Sequence, residues 1–460
     1  MGTSNLPNLI TRTCLTALCG TAVCALAFGA ADPASARGIS LIRDAETEHI
    51  IHQIAAPLFS AAGLDARAVQ VHIVNDRALN AFVAGGQKIF INTGLLLMVE
   101  DINEIAGVIA HETGHISGGH LARTHDAIRN ASATSILAMA LGAAAVLGGQ
   151  GQAGSAIIAG GQQVAERSFL SYSRSQESSA DQAAIKILAA VGQSAQGLYT
   201  FLDRIGDQEA LAKSRQDPYV RSHPPTRDRL RFLKDQITRS PTPPRAPDPA
   251  SARMLRRMQA KIHGFLGSPQ KSLRRYPESD QSIPARYARA AAYHRLGLLE
   301  KALAEADGLI AQNPNDPFFN ELKGQILFES GKVREAVAPY QAAVNLLPEA
   351  PLLRIGLAQA QIEANEASLL PPAIKHLEEA TRRDGQASLA WRQLAIAHGR
   401  NGDIGLSSLA SAEYNLLIGR PRDAMRFAVK AEQLLPKGTP AHLRSQDLKD
   451  AANTAAKRRK

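Results

Sequence analysis

Cysteine is confined to the start of the chain: Cys14, Cys19 and Cys24 are the only three among 460 residues. Beyond residue 24 there can be no disulfide framework, no thiolate metal site and no cysteine nucleophile. Any metal must therefore be held by histidine and carboxylate. Long apolar runs are scarce as well; the run from about Cys14 to Ala31 falls short of the ~20 residues that a membrane-spanning helix needs. Charge is not concentrated anywhere. The net charge is +10, but Lys and Arg are spread along the chain apart from the terminal run AAKRRK, which reads as a solvated tail. This argues against a nucleic-acid partner and leaves peripheral contact with an anionic membrane as the better expectation. With 45% apolar and 20% charged residues the composition is that of a globular protein, and the length calls for two or three domains.

What is present begins with a leader. Arg12 precedes the apolar run, and Ala34-Ser35-Ala36 supplies an A-x-A cleavage site, so residues 1–36 read as a signal peptide with Arg37 as the first mature residue. The alternative is an uncleaved anchor. A lipoprotein is disfavoured because Thr13, Leu18 and Val23 precede the three cysteines. A cleaved leader removes all the cysteine in the chain.

Leu41 to Ala62 reads as an amphipathic helix, while Ala68 to Asp76 and Gln87 to Gly94 alternate like strands. Between the strands, NAFVAGG ends in paired glycines that suggest a turn. A helix is expected to start at Asp101, which can cap it, with Glu104 three residues on. After that helix come two small-residue apolar stretches, Ala131 to Leu147 and onward to about Gly160, joined by GGQGQAGS. They form either an ordinary helical hairpin or a membrane-contacting lid. The proline-rich run SPTPPRAPDPA, residues 240–250, reads as a semi-rigid linker between a domain at 37–239 and one at 251–460.

Past that linker the sequence repeats. Gly297, Ala302 and Pro314 recur 34 residues later as Gly331, Ala336 and Pro348, and the same internal offsets return at Gly419, Ala424 and Pro436. Trp391, Leu394 and Gly402 open a further unit, and Leu353 to Arg382 holds a degenerate one. A 34-residue period with small residues at helix crossings resembles the tetratricopeptide repeat, whose stacked helix pairs share a core and expose a groove for peptides or proteins.

The chemistry is concentrated in VIAHETGHISGGH, residues 108–120. His111 and His115 stand at i and i+4, so on a helix both imidazoles can reach one zinc ion. Glu112 lies where it can hold water at that ion and take its proton. The third ligand is open from spacing alone. A metzincin needs histidine at position 121, which is Leu121; on a continuing helix His120 points away from His111, and it becomes usable only through a break at Gly118-Gly119. His125 is no better placed. The other solution is a carboxylate from SRSQESSAD, where one of Glu177 and Asp181 could bind metal and the other orient a histidine.

NAFVAGG, TGLL, HETGH, the S-R-x-x-E-x-x-A-D pattern and HPPTRDRL (His223 to Leu230) together resemble the zinc endopeptidase family that includes the CAAX prenyl protease and the HtpX protease. The leader and the appended repeats resemble its periplasmic branch. The resemblance implies a mainly α (α+β) protein: a zincin-type helical metalloprotease domain with a small sheet, followed by a tetratricopeptide solenoid. It implies one zinc ion on His111, His115 and Glu177, with Glu112 as general base and Asp181 behind a ligand. His223 and Arg229 would stand near the metal to stabilise an oxyanion, and His223 could also bind zinc and hold the enzyme off. Asn80, Ala81 and Phe82 would offer an edge strand to the substrate backbone. The implied substrates are misfolded or stalled outer-membrane proteins in the periplasm, with the repeats recruiting them or docking on the beta-barrel assembly machinery. A different class of function, a chaperone or assembly scaffold with a structural or closed metal site, is also compatible with the repeats.

Overall fold

In the computed structural model, residues 40–147, 151–244 and 248–457 are described. The leader expected at 1–36 lies outside them, as does part of the proline-rich run. Strand β1 (Leu41–Ile42) leads into helix α1 (Ala45–Ala61), capped by the Asp44 carboxylate, which accepts from the Thr47 amide. Strands β2 (Gln70–Val74), β3 (Ala81–Ala84) and β4 (Lys88–Asn92) complete a sheet of order β1-β2-β4-β3. The β2–β4 pair is parallel, whereas β3 joins β4 as an antiparallel hairpin through Gly85-Gly86. Strand β3 is thus an edge, and it carries the segment expected to meet a substrate backbone.

Helix α2 (Thr93–Met98) is followed by α3 (Ile102–Ser117), which starts as expected: Asp101 and Glu104 form a complete capping box. Its apolar face, with Ile105, Val108 and Ile109, is fully buried. Next come α4 (His120–Leu147) and α5 (Gly151–Ala190), packed side by side, then α6 (Gln196–Ile205), α7 (Pro218–Ser222) and α8 (Arg227–Arg239). Gly114 makes the decisive crossing. A side chain there would meet the Ala180 carbonyl at 2.8 Å, so glycine lets α3 close onto α5 between Glu177 and Asp181.

The remaining helices are α9 (Pro249–Leu266), α10 (Pro269–Arg275), α11 (Ile283–Arg295), α12 (Leu299–Gln312), α13 (Pro317–Glu329) and α14 (Val333–Leu346). They continue as α15 (Pro351–Glu363), α16 (Leu370–Arg383), α17 (Ser388–Arg400), α18 (Ile404–Leu417), α19 (Pro421–Leu434) and α20 (Pro440–Lys457). Successive helices pack as antiparallel pairs, with Ala302, Ala336 and Ala424 fully buried at the crossings. Gly297 and Gly331 make the turns of the first two pairs, and Asn365 makes the turn of the degenerate third at φ +55°. Asparagine tolerates that left-handed conformation, so the repeat persists structurally where the glycine is lost. Gly402 and Gly419 lie half a period apart, so α18 closes one pair and opens the next.

The proline-rich run does not isolate the repeats. Leu255, Met258 and Ile262 of α9 belong to the same buried core as α1, α3 and the sheet. Helix α1 also packs against the repeat side: Ala45 shares a core with Phe318, Tyr340 and Leu353. Clefts of about 920 and 570 Å³ are left between α1 and the repeat helices.

Candidate metal centre

Four side chains converge from three places in the sequence. His111 and His115 come from α3, Glu177 from α5 and His223 from the residue after α7, and one ligand atom of each lies within 4.8 Å of all the others. His115 Nε2 is 3.1 Å from His111 Nε2. The Glu177 carboxylate reaches both, with Oε2 3.3 Å from His111 Nε2 and Oε1 3.3 Å from His115 Nε2. His223 Nδ1 is 3.1 Å from each Glu177 oxygen and 3.3 Å from His111 Nε2. Three imidazoles and a carboxylate pointing at one spot form a donor set suited to a metal ion of borderline softness.

The surroundings orient these donors. Asp181, one turn after Glu177 and fully buried, places Oδ1 2.9 Å from His111 Nδ1 and so fixes the tautomer that frees Nε2 for metal. Burial opposes the protonated form of His111, but hydrogen bonds to Asp181 and Glu177 prevail and raise its pKa to about 9. Burial likewise works against a charged Glu177, yet His223, His111 and His115 hold its carboxyl well below the ordinary range.

Arg229 is placed differently from the expectation that it faces a developing oxyanion. Its Nε and Nη2 donate to Asp181 at 2.7 and 2.8 Å, and Nη1 donates to the Pro224 carbonyl at 2.9 Å and lies 2.9 Å from Glu177 Oε2. With these donors engaged and the side chain 7% exposed, it clamps the two carboxylates. His223 does face the cluster, held by its own amide donating to the Tyr219 carbonyl at 2.7 Å and by the Tyr219 ring at 4.7 Å.

Glu112 is the exception among the buried groups. It is 1% exposed, neither carboxylate oxygen has a hydrogen-bond partner among the described residues, and the nearest ion-pair contact is His223 Nε2 at 3.6 Å. A buried, unpartnered carboxylate beside a metal-ligand cluster is a group waiting for a proton or a water.

His120 is the residue that spacing undervalues. Helix α3 ends at Gly118, and Gly119 at φ +64° turns the chain before α4 begins. The break does occur, but it brings His120 behind His115 instead of into the ligand set: the two Nδ1 atoms are 2.9 Å apart. Burial, His115 and Arg123 lower the His120 pKa to about 4, so it is neutral and can accept the Nδ1 proton of His115. Each α3 histidine of the cluster thus has a neighbour able to accept its Nδ1 proton, Asp181 for His111 and His120 for His115. His120→Ala is expected to weaken metal binding roughly 10–100-fold, the usual cost of losing such a partner, while His120→Asn recovers part of it. Chelator competition measures both.

The edge strand meets this centre. The Leu79 carbonyl accepts from the Tyr219 amide at 3.2 Å, tying the start of β3 to the segment that carries His223. Asn80 precedes the strand, Ala81 is fully buried, and Phe82 stacks on Phe90 at 5.0 Å, so β3 presents its backbone edge outward rather than the Ala81 side chain.

Residues 43–237 match peptidase family M48. The chain is 24% identical over 377 residues to the beta-barrel assembly-enhancing protease of Yersinia pestis, covering 80% of this chain and 75% of that protein. It is 25% identical over 411 residues to the protein of that name from Escherichia coli (strain K12), covering 87% and 81%. The metalloprotease YcaL of the same strain is 33% identical over 173 residues, 36% of this chain and 61% of that one. The chain carries a peptidase M48 domain, and it is a metalloendopeptidase.

Proposed function

We propose that this metalloendopeptidase works in the periplasm after removal of residues 1–36, holds one zinc ion on His111, His115 and Glu177, and cleaves misfolded or stalled outer-membrane proteins. The observation that carries the reading is the convergence of His111, His115 and Glu177 beside the unpartnered Glu112. The similarity to beta-barrel assembly-enhancing proteases over most of the chain supports the substrate class.

Zinc, when bound, supplies a Lewis acid that polarises the scissile carbonyl and makes water acidic enough to attack near neutral pH. The chain's residues do the rest. A substrate backbone pairs along β3, which orients its peptide bond toward α3. Glu112 takes the proton of the attacking water and returns it to the leaving nitrogen. Asp181 and His120 keep the imidazoles in their ligating tautomers, and Arg229 keeps Glu177 and Asp181 ionised and in place. The repeat domain at 251–460 recruits the unfolded chain or docks on the beta-barrel assembly machinery, through the clefts that α1 leaves open.

His223 gives this reading its regulation. Its Nδ1 already lies among the ligand atoms, so it can act as a fourth ligand and close the position a substrate carbonyl needs. His223→Ala is expected to raise cleavage of casein by the zinc-loaded mature chain on the order of tenfold, as when a competent state populated at about 10% becomes dominant. Unchanged or lost activity at equal metal content rules out the inhibitory role. The closed geometry also favours a second reading, a chaperone or scaffold whose metal site stays shut; that reading predicts no cleavage from either protein.

A further inference from the structure

The α4–α5 hairpin is unlike the rest of the surface. From Asn130 to Ala165 the sequence contains no Asp, Glu, Lys or Arg. The two arms touch through small residues, with Ala138 and Ala165 buried and Gly161 so close that a side chain there would meet the Ala138 Cβ. The larger apolar residues turn outward. Ile136 and Leu137 are 61% and 60% exposed, Leu141 55% and, on the other arm, Val164 59%. At 100° per residue, Met139, Ile136, Leu137 and Leu141 spread over roughly 200° of the α4 surface. This is no stripe for a neighbouring helix. An uncharged arm that exposes large apolar side chains over more than half of its circumference calls for an apolar surrounding, and exposed patches of this kind mark interaction sites.

The occupant can be argued from the same facts. A protein partner, or a second copy of this chain, covers one face of a helical hairpin and leaves the other in water. Lipid covers every outward face at once. Charge returns where the uncharged segment ends: the sequence has Arg123, Arg129, Arg167 and Arg174 against Asp126 and Glu166, with Arg123, Arg129 and Arg174 exposed. That excess of cations suits anionic headgroups. The arm beyond Arg129, Asn130 to Leu147, is about 27 Å long at 1.5 Å per residue, short of the ~30 Å hydrocarbon core. No helix among the described residues is long and apolar enough to cross a membrane. The hairpin can dip into one leaflet without spanning.

We propose that the α4–α5 hairpin inserts its uncharged outer part into one leaflet of an anionic phospholipid bilayer. The two arms run directly into the metal centre. Helix α4 starts at His120, bonded to His115, and α5 carries Glu177 and Asp181 toward its other end. Insertion therefore sets the cleft beside the membrane surface, where membrane polypeptides are exposed before assembly. The lipid contact stands without the peptidase reading; only this placement of substrate depends on it.

The test is flotation of the metal-loaded mature chain with phosphatidylethanolamine–phosphatidylglycerol vesicles. The wild type is expected to float, and to do so still at about 1 M salt, where the Debye length is ~3 Å and surface attraction is screened. Ile136→Asp with Leu141→Asp is expected to cut the floating fraction at least tenfold, whereas Leu443→Asp, an exposed position on α20, leaves it unchanged. Because the mature chain would lack cysteine, a fluorophore on Leu137→Cys should shift to the blue on vesicles and one on Leu443→Cys should not. Loss of flotation in high salt assigns the binding to net charge and overturns the proposal. So does flotation that survives both aspartates, or a wild type that dimerises through the hairpin and ignores vesicles. Cleavage of casein by the double variant, measured in parallel, separates failure of insertion from failure of the peptidase.

Discussion

Glu112→Gln is expected to lower peptide-bond cleavage roughly 10²–10⁴-fold, the range that general-base catalysis contributes, with the bound metal unchanged. Gln and Glu have nearly the same shape, and the carboxylate is bonded to nothing in the described structure, so the amide loses no hydrogen bond. What it loses is the ability to accept a proton. The change should not weaken the fold either. A buried carboxylate without a hydrogen bond, and with only His223 Nε2 at 3.6 Å beside it, carries a desolvation cost that a neutral amide carries in smaller measure, so thermal stability should hold. This combination separates a catalytic residue from a structural one. Turnover of an unfolded substrate, compared at equal metal content, checks it: undiminished turnover removes Glu112 from the mechanism, and lost metal makes it part of the binding site.

The parts of this centre visible in the sequence were those fixed by local geometry. A capping box at Asp101 and an i, i+4 histidine pair need only a helix, and the helix forms where those residues require it. Glu177 came into view only through its pattern with Arg174, Ala180 and Asp181, because a distant carboxylate has no spacing of its own. For His120 the option of a break was legible in the Gly118-Gly119 pair, and the partner to which that break leads was not. Nine residues of unbroken helix would aim it away from His111, but the left-handed turn at Gly119 redirects it onto His115. For Arg229 the position was legible and the partners were not, since which of two charged neighbours a guanidinium clamps depends on how α5 and α8 approach.

The junction of the two halves was the least legible, and it carries the largest expected effect on stability. Asp44, Glu46, Lys261, Arg257, Asp316 and Glu321 look in sequence like scattered surface charges. In the structure the Lys261 side chain is 5% exposed, with Nζ close to Asp44 at 2.5 Å and 3.5 and 3.6 Å from Glu46 and Glu321. Arg257 pairs with Glu46 and Asp316 and lies 4.1 Å over the Phe319 ring. The network joins the start of α1 to α9 and α13, and so joins the peptidase to the first repeats.

Lys261→Met keeps most of the volume, leaves the Asp44 carboxylate without its buried cation and leaves Glu46 with Arg257 alone. Removing one partner from such a buried cluster costs about 3–5 kcal/mol. Chemical denaturation should show the first unfolding transition moved to lower denaturant by that amount; a shift within error would mean that water screens the cluster. Glu321 adds a pH signature with a definite sign. Burial and then the charges of Asp44 and Glu46 outweigh Lys261 and push its pKa from 4.5 up to about 7. Between those values the folded chain holds a proton that the unfolded chain has released, so stability falls as pH rises across this window. Glu321→Gln fixes the neutral form and should flatten that slope. A slope that survives Glu321→Gln would assign the pH dependence to another group.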